Sequence, residues 1–127
     1  SNGMPGNPPM DHPMEKAMRA AGEEFFYRRA GISDFSCATC HAATGKRIRA
    51  SVLPNANVPE EWTKAISWPA FRVGHDAVRG SQHRVSECVW QMRQAEIVYG
   101  SDAAIAIISY WTDKARGQPA ILPDIKR

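Results

Sequence analysis

The sequence has few cysteines, little net charge and no long apolar run, and each shortage excludes a class of protein. Its longest uninterrupted apolar stretch, Ala103 to Ile108, is far too short to cross a bilayer. Sixteen basic and thirteen acidic residues give a formal charge of only +3, and the basic residues are scattered, which is a weak footprint for a nucleic-acid-binding protein. We therefore expect no membrane span and no nucleic-acid partner in a chain of 127 residues, which suits one compact domain.

Hydrophobic periodicity predicts helices, and alternating runs that would build a sheet are too few. A flexible arm rich in Pro and Gly, residues 1–13, is expected to precede a single domain, residues 14–127. Within that domain we predict four helices: Met14 to Ala30, a short one near Glu60 to Ile66, Ser81 to Gln94, and Asp102 to Arg116 capped by Ser101. The stretch 42–80 and the tail PAILPDIKR are expected to be otherwise irregular, so the predicted fold class is all-α.

The three cysteines are too few and odd in number for a disulfide framework, but two of them form a specific motif. Cys37-Ala38-Thr39-Cys40-His41 is a C-x-x-C-H, in which two thiols form thioethers with the haem vinyl groups and the imidazole binds iron axially. A thioredoxin-like dithiol would need a βαβ context, and a zinc site would need Cys40 and His41 as adjacent ligands. The motif therefore predicts one covalent haem c held by Cys37, Cys40 and His41.

A predicted crossing of the first and last helices agrees with a haem protein. The first helix offers Gly22 and Phe26 one turn apart, and the last offers Ile107, Tyr110 and Trp111. A small residue on one helix lets a large aromatic side chain on the other approach closely. Small single-haem cytochromes c have such a crossing, and a bound haem would also organise the long irregular segment. We expect a class I cytochrome c-like fold around one haem.

The second axial ligand of the iron would separate an electron carrier from a catalyst. The candidates are Cys88, Met92, His83, His75 and the N-terminal methionines. Cys88 and Met92 lie four apart on one predicted helix, so they share a face and only one of them can bind. Methionine raises the haem potential and a thiolate lowers it. Cys88 could also be an inert packed thiol, but the neighbouring cations in the sequence favour a thiolate; these are Arg84, Arg72, Arg93, His75 and His83.

Several segments in a fixed order resemble one known family. They are GEEFFY from Gly22, SCATCH from Ser36, GKRI from Gly45, WPAFR from Trp68, HRVSEC from His83, MRQAE from Met92, YGS from Tyr99, YW from Tyr110 and ARGQP from Ala115. In this order and spacing the chain, from about Gly22 to Arg127, is similar to SoxA, the cytochrome subunit of the SoxAX complex that begins periplasmic thiosulfate oxidation. The resemblance is strongest to the C-terminal haem domain of SoxA, and thiosulfate dehydrogenase has a related haem domain.

The resemblance implies a site and a reaction. Cys88 would be the distal iron ligand, found in the family as a persulfide, with Arg72 and Arg84 lining the pocket. An arginine fork suits the sulfonate oxygens of thiosulfate. Thiosulfate would be joined oxidatively to the C-terminal cysteine of the sulfur carrier SoxY. Electrons would pass through a His41/Cys88-ligated haem to a heterodimeric partner, the SoxX cytochrome. These functions would place the protein in the periplasm.

Two other functions fit the same residues. The first is a non-enzymatic His/Cys monohaem cytochrome of the NaxLS type, which forms a heterodimer with another small cytochrome and carries electrons or binds nitric oxide or carbon monoxide. The second is a plain electron carrier with Met92 on the iron. Trp62 and Trp68 could form a partner surface, although packing in the haem pocket is the stronger interpretation.

Overall fold

The computed structural model describes residues 3–9 and 11–127. Its helices are α1 (Pro13–Tyr27), α2 (Cys37–His41), α3 (Pro59–Ile66), α4 (Ser81–Gln91) and α5 (Asp102–Lys114). Its strands are β1 (Arg47–Ile48), β2 (Ser51–Val52), β3 (Ala70–Arg72), β4 (Ala77–Arg79) and β5 (Ile125–Lys126), with a 3-10 turn at Val73–His75. Within the described ranges, no helix has the length and apolar character that a membrane span requires.

Local capping chemistry sets the helix ends. The Ser101 hydroxyl accepts a hydrogen bond from the Ala104 backbone N–H, so α5 begins where the sequence predicts. Helix α1 ends at Tyr27 rather than at the predicted Ala30, and helix α4 ends at Gln91 rather than at the predicted Gln94. Arg28 is already extended, and Arg93 has a φ of 56°, which no α-helical residue adopts.

The predicted crossing of the terminal helices is confirmed. At Gly22 the backbones of α1 and α5 approach so closely that an added Cβ would lie 2.1 Å from the Ala106 carbonyl oxygen. One turn later Phe26, fully buried, packs its ring 5.2 Å from that of Tyr110. Such a close crossing needs glycine at the point of contact, and it brings the two ends of the domain into one core.

Trp62 joins the short helix α3 to this core. It is 1% exposed, its indole Nε1 donates to the Trp111 carbonyl oxygen at 3.1 Å, and its ring meets that of Trp111 edge-on at 5.8 Å. Trp62 therefore packs inside the protein and contributes nothing to an exposed partner surface. Trp68 is partly buried and lines the same cavity as Trp62.

The expectation of an all-α fold is wrong, because two small sheets are present. β1 and β2 form an antiparallel hairpin, and β3 is the central strand of a second sheet, antiparallel to β4 and parallel to β5. The strands have two or three residues each, too short to show an alternating pattern in the sequence. The first four lie in the segment 42–80, and β5 lies in the tail, where no periodicity could reveal a pairing between distant residues.

The two chain ends are both held by backbone hydrogen bonds. Near the start, Gly3 N–H donates to Ala120, and Gly6 N–H donates to Gln118. Near the end, β5 pairs in parallel with β3, with Phe71 opposite Ile125. The tail predicted to run irregularly over the surface therefore returns to the sheet, and this return brings its basic residues to the site described next.

Candidate functional site

The C-x-x-C-H motif forms its own short helix, α2. Ser36 and Thr39 make a reciprocal capping box: the Ser36 hydroxyl accepts from the Thr39 N–H at 3.2 Å, and the Thr39 hydroxyl accepts from the Ser36 N–H at 3.0 Å. The helix places Cys37, Cys40 and His41 on one face, because residues three and four apart are neighbours on a helix. Neither thiol is in a disulfide, so both are available to a ligand on that face.

His41 is oriented for metal binding. Its Nδ1 lies 2.9 Å from the Pro54 carbonyl oxygen, which can only accept, so Nδ1 carries the proton and Nε2 keeps its lone pair. The ring also meets Trp62 edge-on, with centroids 5.2 Å apart. Burial lowers the pKa of His41, against the opposing effect of the Pro54 hydrogen bond. A neutral imidazole with a free Nε2 is the form that ligates iron.

A cleft made of two adjoining cavities brings the predicted ligands together. The larger cavity is about 440 Å³ and the smaller about 130 Å³. They share the side chains of His41, Leu53, Arg84, Cys88 and Trp111. Cys37, Cys40 and Met92 line the smaller cavity, and Arg72 lines the larger one. A volume of several hundred Å³ lies in the usual range for a cofactor site.

Among the described residues, Cys88 and Met92 are the candidates for the second axial ligand that line the cleft. His75 and His83 lie outside both cavities and contact each other instead. Met4 and Met14 are exposed, Met18 is half-buried on α1, and none of these three lines the cleft. Met10 lies outside the described residues. Arg93, one of the expected neighbouring cations, stacks on the Trp90 ring away from the cleft.

Burial is the largest influence on the pKa of Cys88 and of Cys37, the two cysteines whose pKa is shifted. It raises the pKa of Cys88, and the Arg84 guanidinium opposes this effect without reversing it. Burial, together with the neighbouring Cys88, raises the pKa of Cys37 to about 12. Burial therefore opposes the expected Cys88 thiolate in the polypeptide alone, and a bound metal ion would favour it. The raised pKa of Cys37 is also unlike that of the low-pKa cysteines of redox motifs.

Glu87 organises the two predicted arginines, and the sequence reasoning missed it. Arg72, only 8% exposed, directs Nη2 to Glu87 Oε1, and Arg84 directs Nη1 to Glu87 Oε2, both at 3.3 Å. Arg72 also donates to the carbonyl oxygen of Arg127. A glutamate three residues after Arg84 on a helix, and next to Cys88, was the available signal. One carboxylate therefore fixes both guanidinium groups beside the cleft.

The C-terminal strand adds further positive charge. Lys126 and Arg127 line the larger cavity, and the Lys126 ammonium lies 5.0 Å from the centre of the Trp68 ring. No signal in the sequence could have placed them there, because the parallel β3–β5 pairing brings them back from the end of the tail. Asp124 also lines the cavity and pairs with Lys126, so the net positive charge of the rim comes mainly from Arg72, Arg84 and Arg127. A rim of this charge suits an anion.

The residues of the cleft fit a haem. Apolar side chains such as Leu53, Trp62 and Trp111 line it, and two thiols and an oriented imidazole enter it from one helix. Two buried polar atoms of its lining, Trp111 Nε1 and Arg72 Nε, have no hydrogen-bond partner among the described residues. Buried donors of this kind ordinarily have partners, and a bound group with polar substituents would provide them.

Comparison with known proteins gives related sequences and a related structure. No family model matches the sequence. The chain is 42% identical over 128 residues to the L-cysteine S-thiosulfotransferase subunit SoxA of Hydrogenophilus thermoluteolus, covering 100% of this chain and 47% of that protein. It is 35% identical over 124 residues to the subunit of the same name from Hydrogenobacter thermophilus, covering 97% of this chain and 48% of that protein.

The fold agrees with these sequence matches. A chain in the crystal structure of SoxXA from P. pantotrophus superposes with a TM-score of 0.83 at 27% identity, covering 100% of this chain and 46% of that chain. This chain spans about half the length of the relatives it matches. Over its whole length the chain is therefore related to about half of a SoxA subunit, and it is a SoxA-type cytochrome domain.

Proposed function

We propose that this domain carries one covalently attached haem c. Cys37 and Cys40 form the thioethers, His41 is the proximal ligand and Cys88 the distal one. Supporting this assignment, α2 presents the two thiols and the imidazole on one face, Pro54 leaves Nε2 of His41 free, and Cys88 lines both cavities beside His41. A haem bound there supplies an iron that accepts and passes on single electrons.

The reaction that this site supports best is the oxidative joining of thiosulfate to a cysteine sulfur, in the periplasm. An S–S bond forms between the outer sulfur of thiosulfate and the acceptor sulfur, and no bond of thiosulfate breaks. The acceptor thiol loses its proton, and two electrons leave to an external oxidant. The relatives are named L-cysteine S-thiosulfotransferase subunits, which agrees with this chemistry.

The residues of the cleft have distinct roles in this proposal. The guanidinium groups of Arg84 and Arg72 hold the sulfonate oxygens of thiosulfate, since a planar fork can bind two oxygens at once. That orientation turns the outer sulfur toward Cys88, whose sulfur lines the same cavity. Glu87 positions both guanidinium groups. The observation that carries the proposal is that Cys88, His41 and Arg84 line both cavities together.

Two protein partners complete the reaction. One is a second small c-type cytochrome of the SoxX kind, which forms a heterodimer with this domain and accepts the two electrons in single-electron steps. The other is a sulfur-carrier protein that presents the acceptor cysteine. The solved relative is a SoxXA structure, which supports a cytochrome partner of this kind.

Product analysis with the haem-loaded chain tests the proposed reaction. The protein, alone and with a SoxX-type cytochrome, is mixed with thiosulfate, cysteine and an excess of ferric cytochrome c. We expect cytochrome reduction that requires both thiosulfate and cysteine, and mass spectrometry should find thiosulfate sulfur attached to cysteine. Tetrathionate as the sole product would assign the acceptor role to a second thiosulfate. No reduction and no product in any mixture would contradict the proposal.

Removing the charge of Arg84 should weaken thiosulfate binding. In Arg84→Gln we expect kcat/KM for thiosulfate to fall about 10- to 100-fold, the loss that follows when one charge-assisted hydrogen bond disappears. Arg93→Gln is the matched control, because Arg93 is exposed and lies away from the cleft. Steady-state kinetics on both haem-loaded variants measures the effect. Equal kcat/KM in Arg84→Gln and the parent would exclude Arg84 from substrate binding.

A non-enzymatic electron carrier is the second candidate, and one observation favours it. Met92, 7% exposed, lines the smaller cavity with Cys37, Cys40 and His41. A thioether on the iron would raise the haem potential and leave no sulfur nucleophile on the metal.

A further inference from the structure

A second cluster of ligating side chains lies outside the cleft. His75 ends the 3-10 turn between β3 and β4, and His83 and Glu87 lie one turn apart on α4. One ligand atom from each of these three residues lies within 4.8 Å of the other two. None of the three side chains lines either cavity of the cleft. The side chains are 19% to 29% exposed, so an ion from solvent can reach them.

The distances in the cluster are close to those around a tetrahedral metal ion. His75 Nε2 lies 3.1 Å from Glu87 Oε1, and His83 Nε2 lies 4.0 Å from the same oxygen. Ligand atoms at 2.0–2.1 Å from a tetrahedral Zn²⁺ are roughly 3.3 Å apart. The three ligand atoms lie within 4.8 Å of one another, so the side chains would have to draw together to place all three on one ion.

His83 has the outer hydrogen bond that metal-binding histidines usually have. Its Nδ1 lies 2.9 Å from the Tyr99 hydroxyl, and its Nε2 lies 3.3 Å from His75 Nδ1 and 4.0 Å from Glu87 Oε1. The Tyr99 contact fixes the ring orientation of His83. An ion held by both histidines would therefore take the place of the contact between the two rings.

The charges around the cluster come from three elements. Arg72 on β3 contacts Glu87 Oε1 and Arg84 on α4 contacts Oε2, while Arg79 on β4 lies near enough to lower the pKa of His83. These cations weaken the affinity for a metal ion without closing the site. An ion on Oε1 displaces only Arg72 from the carboxylate, and Arg72 keeps its contact with the Arg127 carbonyl.

We propose that His75, His83 and Glu87 form a binding site for a divalent transition-metal ion of the Zn²⁺ type, with a fourth position open to water. Two imidazoles and one carboxylate are a known tetrahedral donor set for zinc. This site is separate from the proposed haem ligands, and it shares Glu87 with the proposed thiosulfate site, where an ion would release Arg72 from the carboxylate.

Calorimetric titration with zinc chloride tests the site. The haem-loaded protein is first stripped with a chelator and placed in a non-coordinating buffer. We expect one Zn²⁺ per chain and at least about a 10-fold loss of affinity in both His75→Ala and His83→Ala. The matched control is His12→Asn, which removes an exposed histidine outside the cluster and keeps the helix cap of α1. X-ray absorption at the zinc edge should show imidazole nitrogen ligands at about 2.0–2.1 Å.

Two results would overturn the proposal. One is the absence of zinc binding by the stripped parent protein, and the other is one bound Zn²⁺ with the same affinity in the His75→Ala/His83→Ala double variant. Haem absorbance and circular dichroism verify that each variant is folded. Should His83→Ala fail to fold, Tyr99→Phe retains the ligands and removes only the hydroxyl that orients His83. We expect about a 10-fold loss of zinc affinity in that variant, and an unchanged affinity would contradict the site.

Discussion

Replacing Cys88 by alanine should abolish the oxidation of thiosulfate while the haem stays attached. The variant keeps Cys37, Cys40 and His41, which are the proposed points of haem attachment, but it removes the one sulfur that lines both cavities beside Arg84. In the proposed reaction Cys88 is the iron ligand toward which the outer sulfur of thiosulfate is turned, and residues of a site that act as a unit cause large losses when one is removed. We expect turnover to fall at least about 1,000-fold in the product assay described above.

Met92→Leu is the matched control for that result, because leucine conserves the volume of a buried methionine and adds no ligand. It should retain turnover within about twofold, and its ferric protein should keep the low-spin electron paramagnetic resonance signal of thiolate ligation. In Cys88→Ala that signal should disappear. The opposite pattern, a signal and redox behaviour lost in Met92→Leu and kept in Cys88→Ala, would establish the electron carrier instead.

Replacing Gly22 by alanine should strongly destabilise the fold. Alanine in a helix ordinarily gains up to about 1 kcal/mol over glycine. Here the new Cβ would lie 2.1 Å from the Ala106 carbonyl oxygen and 2.7 Å from the Tyr110 Cβ, so α1 and α5 would have to separate. Overpacking in a rigid core outweighs the helix propensity. We expect the free energy of unfolding to fall by at least about 2 kcal/mol.

Guanidinium unfolding of the haem-loaded protein, followed by circular dichroism, measures this loss. Gly74→Ala is the control, because an added Cβ there has no atom within 4 Å and the backbone is not in the left-handed region. Its stability should stay within about 1 kcal/mol of the parent. Equal stability of Gly22→Ala and Gly74→Ala would show that the helices separate at little cost and that the crossing is not what holds the fold.

Four of the five helices of the described chain could be predicted from the sequence because their signals are local, whereas the five-residue helix α2 was not predicted. The Ser101 cap, the glycine at the crossing and the periodicity of α4 each occupy a few consecutive residues, and the structure has helices in those places. The strands could not be predicted in the same way. β5 forms because residues 125–126 pair with β3, which lies far back along the chain. No pattern within two residues can predict such a pairing.

The site shows the same difference between features with a local sequence signal and features that arise only in the folded chain. A five-residue motif predicts Cys37, Cys40 and His41 as haem ligands, and helical spacing predicts that Arg84 and Cys88 share a face of α4. The Pro54 carbonyl that orients His41 is a backbone group, which residue identity does not encode. Burial raises the pKa of Cys88 and opposes the effect of Arg84. Burial exists only after folding, so the sequence alone did not reveal this opposing effect.

The crossing of α1 and α5 also constrains the order in which the protein can form. The contact at Gly22 joins segments from near the two ends of the domain, and the β3–β5 pairing likewise needs the last residues. Contacts of such high sequence separation raise the relative contact order, and the entropy of closing the chain must be lost before they form. A chain that is still being synthesised therefore cannot enclose the cleft. The thiols of Cys37 and Cys40 would stay open to solvent until α5, which adds Trp111 to their cavity, is in place.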